Sequence, residues 1–299
     1  MRTFTRILCP IDFSGESRHA LEHALMFARW YDAPVTGLFV YSPVFTPPPG
    51  PGRHAYAAPA VMEQIDAAEY QRDVLSFVGR VNASNVDVSA RVAIGLPAQE
   101  IVKAVTILPA DLVVLGTHGL AGFQHLVLGS IAERVLRTCP VPVLTVPPRA
   151  RATSKLPFKR VLCPIDFSEP SKAALQVALS IAQEGAADIT ILHVFDAPAD
   201  EPFATRHFTV PEFRREYECW AAGELRALVP EQVRDWCSPT TRVSHGKPYR
   251  EILGAAAEGG ADVIVMGVHG RNALDLMLFG STTNQVVRRA TCPVLTVRV

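Results

Sequence analysis

Two glycine-bearing segments hold the residues best suited to chemistry. Gly116-Thr117-His118-Gly119 is followed, after nine residues, by Gly129-Ser130; Gly267-Val268-His269-Gly270 is followed, after nine more, by Gly280-Ser281. Each segment follows a short, mostly apolar run (111–115 and 262–266) and precedes a stretch with helical periodicity. A strand feeding a glycine loop that opens onto a helix suits phosphate. Glycines let the backbone come close, and the unpaired N–H groups of the helix's first turn face the anion. In this reading Gly129 and Gly280 admit phosphate oxygens, and Ser130 and Ser281 add a hydroxyl donor. The plainer alternative is that the glycines serve only tight turns and helix–sheet packing.

Asp12 and Asp166 stand among apolar residues at the end of each half's first strand. Such a carboxylate either caps the next helix or accepts hydrogen bonds from a ribose or base edge. His118 and His269 occupy equal places in the glycine loops, with no acid or cysteine at ligand spacing, and read as loop-stabilising. Arg271 follows Gly270 and suits a phosphate, but Leu120 stands in its place in the first half. His19 and His23 lie one helical turn apart, a metal-capable spacing that reads as a solvated helix face. Neither G-x-x-x-x-G-K-[ST] nor a G-x-G-x-x-G after the first strand occurs, which disfavours P-loop ATPases and dehydrogenases. No triad or carboxylate pair repeats between the halves, so catalytic machinery is not indicated.

The elements that position these residues occur twice. Residues 6–14 return at 160–168, and residues 142–146 return at 293–297. Gly95-Leu96-Pro97 likewise matches Gly246-Lys247-Pro248. Two domains follow, residues 1–148 and 156–299, joined by a polar, proline-containing linker. In the first, strands are expected at residues 6–11, 34–40, 86–94, 111–116 and 141–146. Helices are expected after Ser14 or Ser17, over residues 61–81, from Pro97 to about residue 108, and from Ser130. A proline-rich segment, 42–59, cannot be regular. The second domain repeats the order, with strands at 160–165, 188–194, 240–244, 262–267 and 294–297. Alternating strands and helices predict an α/β fold: two tandem doubly wound domains, each a five-stranded parallel sheet of order 3-2-1-4-5 with helices on both faces. Ligands bind such sheets where the chain reverses between strands one and four, and both repeated motifs end there.

Composition narrows the classes. Lys+Arg and Asp+Glu are both 29, so no basic surplus draws the chain to nucleic acid or anionic lipid. Hydrophobic content of 48% argues against disorder. The six cysteines form no C-x-x-C and read as reduced, mostly buried thiols of a cytoplasmic protein. The N-terminus does not read as a signal peptide, and no apolar run reaches the ~18 residues needed to span a bilayer.

The pattern G-x2-G-x9-G-[ST], the strand-one ending Pro-Ile-Asp-Phe-Ser and the closing Pro-Val-Leu-Thr-Val resemble the universal stress protein family. The resemblance covers nearly the whole chain, as a tandem two-domain member of the ATP-binding branch. It implies one ATP in each half, Mg accompanying the phosphates, and no transition-metal site. Adenine is then expected near Pro10, Asp12 and Val40, and near Pro164, Asp166 and Val194. Ribose and phosphates are expected at Gly116, Gly119, Gly129, Ser130 and Ile131, and at Gly267, Gly270, Arg271, Gly280, Ser281 and Thr282. Leu120 departs from the arginine common there, so the two sites are not equivalent. Family members commonly dimerise through their fifth strands, which here are apolar edges that need cover; the halves are expected to pair this way, with a homodimer also compatible. The implied role is a non-enzymatic stress-response regulator whose nucleotide sets conformation or the choice of an unidentified protein partner. Two other classes stay open: a ligand-free interaction module using loops near 47–59 and 203–211, and a slow ATPase or autokinase.

Overall fold

The computed structural model describes residues 4–42, 66–81, 83–117, 128–150, 156–196, 211–237, 239–268 and 280–298. The first half runs β1 (Ile7–Ile11), α1 (Gly15–Tyr31), β2 (Val35–Tyr41), α2 (Ala67–Gly79), β3 (Val88–Ile94), α3 (Pro97–Ile107), β4 (Leu112–Gly116), α4 (Ser130–Thr138) and β5 (Val143–Val146). The second runs β6 (Arg160–Pro164), α5 (Glu169–Gly185), β7 (Asp188–Phe195), α6 (Pro211–Ala227), β8 (Thr240–His245), α7 (Pro248–Gly259), β9 (Val263–Gly267), α8 (Ser281–Arg289) and β10 (Val294–Val297).

The expected strand order is found in both halves, within one ten-stranded sheet: β3-β2-β1-β4-β5-β10-β9-β6-β7-β8. Strands within a half are parallel, and β5 meets β10 antiparallel through Thr145–Val294, Leu144–Leu295 and Val143–Thr296. The fifth strands therefore cover each other's edges, as anticipated. Because they run in opposite directions, the strand ends of the two halves open on opposite rims of the sheet. Helices α1, α2, α5 and α6 pack on one face and α3, α4, α7 and α8 on the other. Strands buried on both sides read as unbroken apolar runs, which is why β4 and β9 were legible. The first core passes from one half to the other: Phe158, ahead of β6, packs on Phe27 and Trp30 of α1 at 5.4 and 6.1 Å between ring centroids.

Local chemistry sets the boundaries. Ser14 caps α1, its side chain accepting from Ser17 N, and Ser168 caps α5 likewise. Helix α2 starts at Ala67 rather than residue 61, because the Asp66 carboxylate accepts from Ala68 N and Glu69 N. Strand β5 starts at Val143 rather than 141, since Pro142 has no N–H to give the ladder. Its carbonyl still accepts from Val113 N at 3.0 Å. Residues 43–65 and 197–210, which include most of both loops proposed for partner binding, lie outside the described residues.

Candidate functional site

The crevice comes from strands that part. β1 pairs with β4 only at Ile7–Leu112 and Leu8–Val113, whereas it pairs with β2 along all five residues. β6 and β9 repeat this with Val161–Val263 and Leu162–Ile264. Beyond these pairs the chain ends diverge, with Pro10 and Asp12 on one side and Gly116 on the other. Val40 and Val194 sit near the ends of the neighbouring β2 and β7, half-buried against the second core.

The glycine loop leaves β4 and returns to a clasp. Thr117 N donates to Val146 O at 3.2 Å, and Gly129 N donates to Thr117 O at 2.8 Å. In the second half Val268 N donates to Val297 O at 3.0 Å, and Gly280 N to Val268 O at 3.2 Å. The clasp starts α4 and α8 at a fixed place. Gly129 and Gly280 are their N-caps, and neither helix has a side-chain cap hydrogen bond. The first-turn N–H groups, those of Ser130 and Ile131 and of Ser281 and Thr282 among them, have no intrahelical acceptor. The clasp holds these donors next to the ends of β4 and β9. Gly119, Gly270 and Arg271, with His118, His269 and Leu120, lie outside the described residues.

Asp12 and Asp166 do structural work. Oδ1 of Asp12 accepts from Ser14 N at 3.0 Å and from the Ser14 hydroxyl. Oδ1 of Asp166 accepts from Ser168 N at 3.1 Å and from the Ser168 hydroxyl. The residue between, Phe13 or Phe167, is held at φ 63° or 65°, left-handed backbone that a bulky side chain rarely adopts. The caps are Ser14 and Ser168 themselves, and each carboxylate holds its cap residue in an Asx-type turn.

Gly267 is also explained by packing. A Cβ there would lie 2.8 Å from the Pro170 carbonyl carbon, so the end of β9 approaches α5 more closely than any side chain allows.

The histidine pair on α1 is not a solvated face. His23 is 1% exposed, with Nδ1 2.9 Å from His19 O, and His19 Nε2 lies 3.0 Å from Ala150 O. Burial pushes the His23 pKa down to about 4. His23 lies between Ala20 and Phe27 on the helix, inside the buried stripe. Of the cysteines, Cys9, Cys139, Cys163 and Cys292 are buried, Cys219 and Cys237 are not, and all are free thiols. Burial raises Cys9 and Cys292 to about 12 and Cys139 to about 11, which leaves them unreactive.

A ring cluster beside each crevice escaped the sequence reading. Phe13 packs on Phe39 at 5.0 Å and Phe77 at 5.5 Å, and Tyr70 stacks on Phe39 at 5.0 Å. In the second half Phe167 meets His193 at 4.7 Å and Trp220 at 5.5 Å. His193 is buried between Ile165 O (2.7 Å) and Tyr217 Oη (2.9 Å). The available signal was rings two apart on one strand face: Phe39 and Tyr41 on β2, His193 and Phe195 on β7.

Fold and crevices define the class, a tandem doubly wound α/β protein with the same switch-point architecture in each half. The chain belongs to the universal stress protein family, whose model matches residues 3–147 and again 157–298. It is 29% identical to a universal stress protein of Mycolicibacterium smegmatis over 98% of this chain and 96% of that one. It is 32% identical to universal stress protein YxiE of Bacillus subtilis, covering 47% of this chain and 99% of the relative. The crystal structure of a universal stress protein from Archaeoglobus fulgidus shares the fold, with a TM-score of 0.69, 23% identity and 98% of both chains covered.

Proposed function

We propose that this chain is a cytoplasmic stress-response regulator that binds one adenine nucleotide in each half. ATP is the leading ligand, and it acts by setting conformation or the choice of a protein partner rather than by being turned over. The halves are taken as residues 1–148 and 156–299. The observation that carries the reading is the recurrence, in both halves, of parted strands facing an uncapped helix start. Orphan N–H donors beside a crevice fit a polyphosphate, and the first-turn hydroxyls of Ser130, Ser281 and Thr282 add to them. In this reading Asp12 with Val40, and Asp166 with Val194, take the base and ribose, and the glycine loops take the phosphates. Among the described residues no group of three His, Cys, Asp or Glu side chains could hold a metal ion; in this reading any Mg²⁺ accompanies the phosphates. No helix among them is long and apolar enough to cross a membrane.

The test is mass spectrometry of ligands released from freshly purified protein, with their stoichiometry per chain, followed by calorimetry with ATP, ADP and cyclic AMP. Two adenine nucleotides per chain and a melting temperature that rises with ATP are expected, because a ligand of the native state stabilises it by mass action. The absence of both heat and a melting shift at millimolar Mg-ATP sinks the reading. Turnover in highly purified protein that Asp12→Ala abolishes would replace it with an ATPase.

A further inference from the structure

A pseudo-twofold axis through Leu144 and Leu295 carries α7 onto α3 and α8 onto α4. Three positions on these helices differ in kind. Tyr249 and Arg250, in the first turn of α7, stand where α3 has Ala98 and Gln99. Arg289, the last residue of α8, stands where α4 has Thr138. The first half builds the same fold without a tyrosine or an arginine at these places, so their chemistry is free for another use.

The three side chains converge at the surface. The Tyr249 ring leans on the second core, half-buried, with its hydroxyl at the protein surface. Arg250 Nε donates to Tyr249 Oη at 3.0 Å. The guanidinium carbons of Arg250 and Arg289 lie 5.8 and 5.1 Å from the ring centroid, Arg289 reaching over from the neighbouring helix. Among the described residues neither guanidinium forms an ion pair with a carboxylate. Glu251, the acid next in sequence, accepts the Ser244 hydroxyl at 2.7 Å instead. The hydrogen bond from Arg250 does most to lower the phenol's pKa from the usual tyrosine range; partial burial opposes it, and the charges of both arginines reinforce it.

A phenol whose anion is stabilised is the better nucleophile near neutral pH. A phosphate monoester on Oη carries about two negative charges and three acceptor oxygens, which two guanidiniums match in charge and in hydrogen bonding. A neutral acyl adduct would gain nothing from them. We propose that Tyr249 is a covalent modification site, the phosphoryl acceptor of the second half, and that Arg250 and Arg289 hold the ester once it forms. The phenolate oxygen attacks the γ-phosphorus of a nucleoside triphosphate held by a kinase, and the new O–P bond forms as the bond to the β-phosphate oxygen breaks. The nucleoside diphosphate leaves with that electron pair, and the phenolic proton passes to the kinase's base. The ester neutralises both guanidiniums and ties the start of α7 to the end of α8. None of this depends on nucleotide binding in the crevices.

The experiment uses the full chain with Arg250→Gln and Arg289→Thr, the residues that the first half carries at these places. An arylsulfonyl fluoride at pH 8, followed by peptide mapping, reads which of the six tyrosines reacts first. Tyr249 should lead in wild type, and each variant should slow it roughly threefold, as the loss of one cation beside a surface phenol implies. Phosphotyrosine installed at position 249 is then titrated by phosphorus NMR. Its second ionisation should fall below the ~6 of an unpaired ester and return toward it in either variant. Chain recovered from its own cells, growing and stressed, should carry phosphate on Tyr249. Tyr249 reacting no faster than Tyr41, Tyr70 or Tyr217, an ester that titrates at ~6 in wild type, variants without effect, or cellular protein free of the ester each overturns the proposal.

Discussion

His23 and Val177 hold the same place in the two halves, yet only the first half buries a titratable ring there. With its pKa lowered to about 4, His23 is neutral in the fold, while in the unfolded chain it takes a proton below about 6.5. Its contribution is therefore fully present above pH ~6.5 and is lost as the pH falls toward about 4, by at most about 3 kcal/mol. His19 packs on His23 and Glu22 contacts His19, and other carboxylates add slopes of their own, so the comparison with a variant decides. Urea midpoints at pH 7.5 and 5 should fall less for His23→Val than for wild type; equal falls would sink the assignment. Ser14 invites a simpler measurement. Its hydroxyl caps α1 and meets Asp12, so Ser14→Ala should cost about 1 kcal/mol of stability by urea unfolding. Residue identity foretold that a serine caps α1, without deciding between Ser14 and Ser17. It did not foretell the left-handed Phe13 and Phe167, since nothing in a phenylalanine announces positive φ. Nor did it foretell His23, whose polarity hid its place in the apolar stripe.

At the scale of elements, β9 and α8 share one anchorage. Gly267 touches Pro170 at the start of α5, and its carbonyl holds Thr283 in the first turn of α8. Gly267→Ala should force strand and helix apart and destabilise the protein by about 1–3 kcal/mol, measured by thermal unfolding without ligand. A variant of unchanged stability that has nevertheless lost ATP would return this glycine to the role of ligand contact. Thr283→Ala should cost about 1 kcal/mol and loosen the start of α8 without changing its charge. The inner strands were legible to within a residue or two because burial on both faces leaves an uninterrupted apolar run, whereas the edge strands β3 and β8 are half-exposed and carry no such run. Helix α2 was less so. Its amphipathic pattern extends past Asp66 in the sequence, and only the carboxylate's grip on Ala68 N and Glu69 N sets the start. The crevice was legible in outline from strand order, but not in detail, since where β1 leaves β4 depends on long-range pairing.

The whole molecule behaves in this fold as one body built from two similar halves. The β5–β10 ladder removes the inner edges, and the first core runs unbroken from α1 through Phe158 to α5. The repeat announced the halves, and the apolar fifth strands announced their pairing. The aromatic bridge did not announce itself, because Trp30 and Phe158 are brought together only when the twofold forms. A shared core and a closed ladder should make unfolding cooperative across both halves. Trp30 reports on the first half, and Trp220 and Trp236 on the second. Urea transitions read by the fluorescence of single-tryptophan variants and by far-ultraviolet circular dichroism should therefore coincide. Leu144→Lys buries a charge at the axis with no partner, so it should separate the transitions or drive intermolecular strand pairing, visible as larger species in sedimentation. Separate midpoints for the two halves in wild type would mean that they fold independently. The twofold would then be only a contact between halves that fold separately.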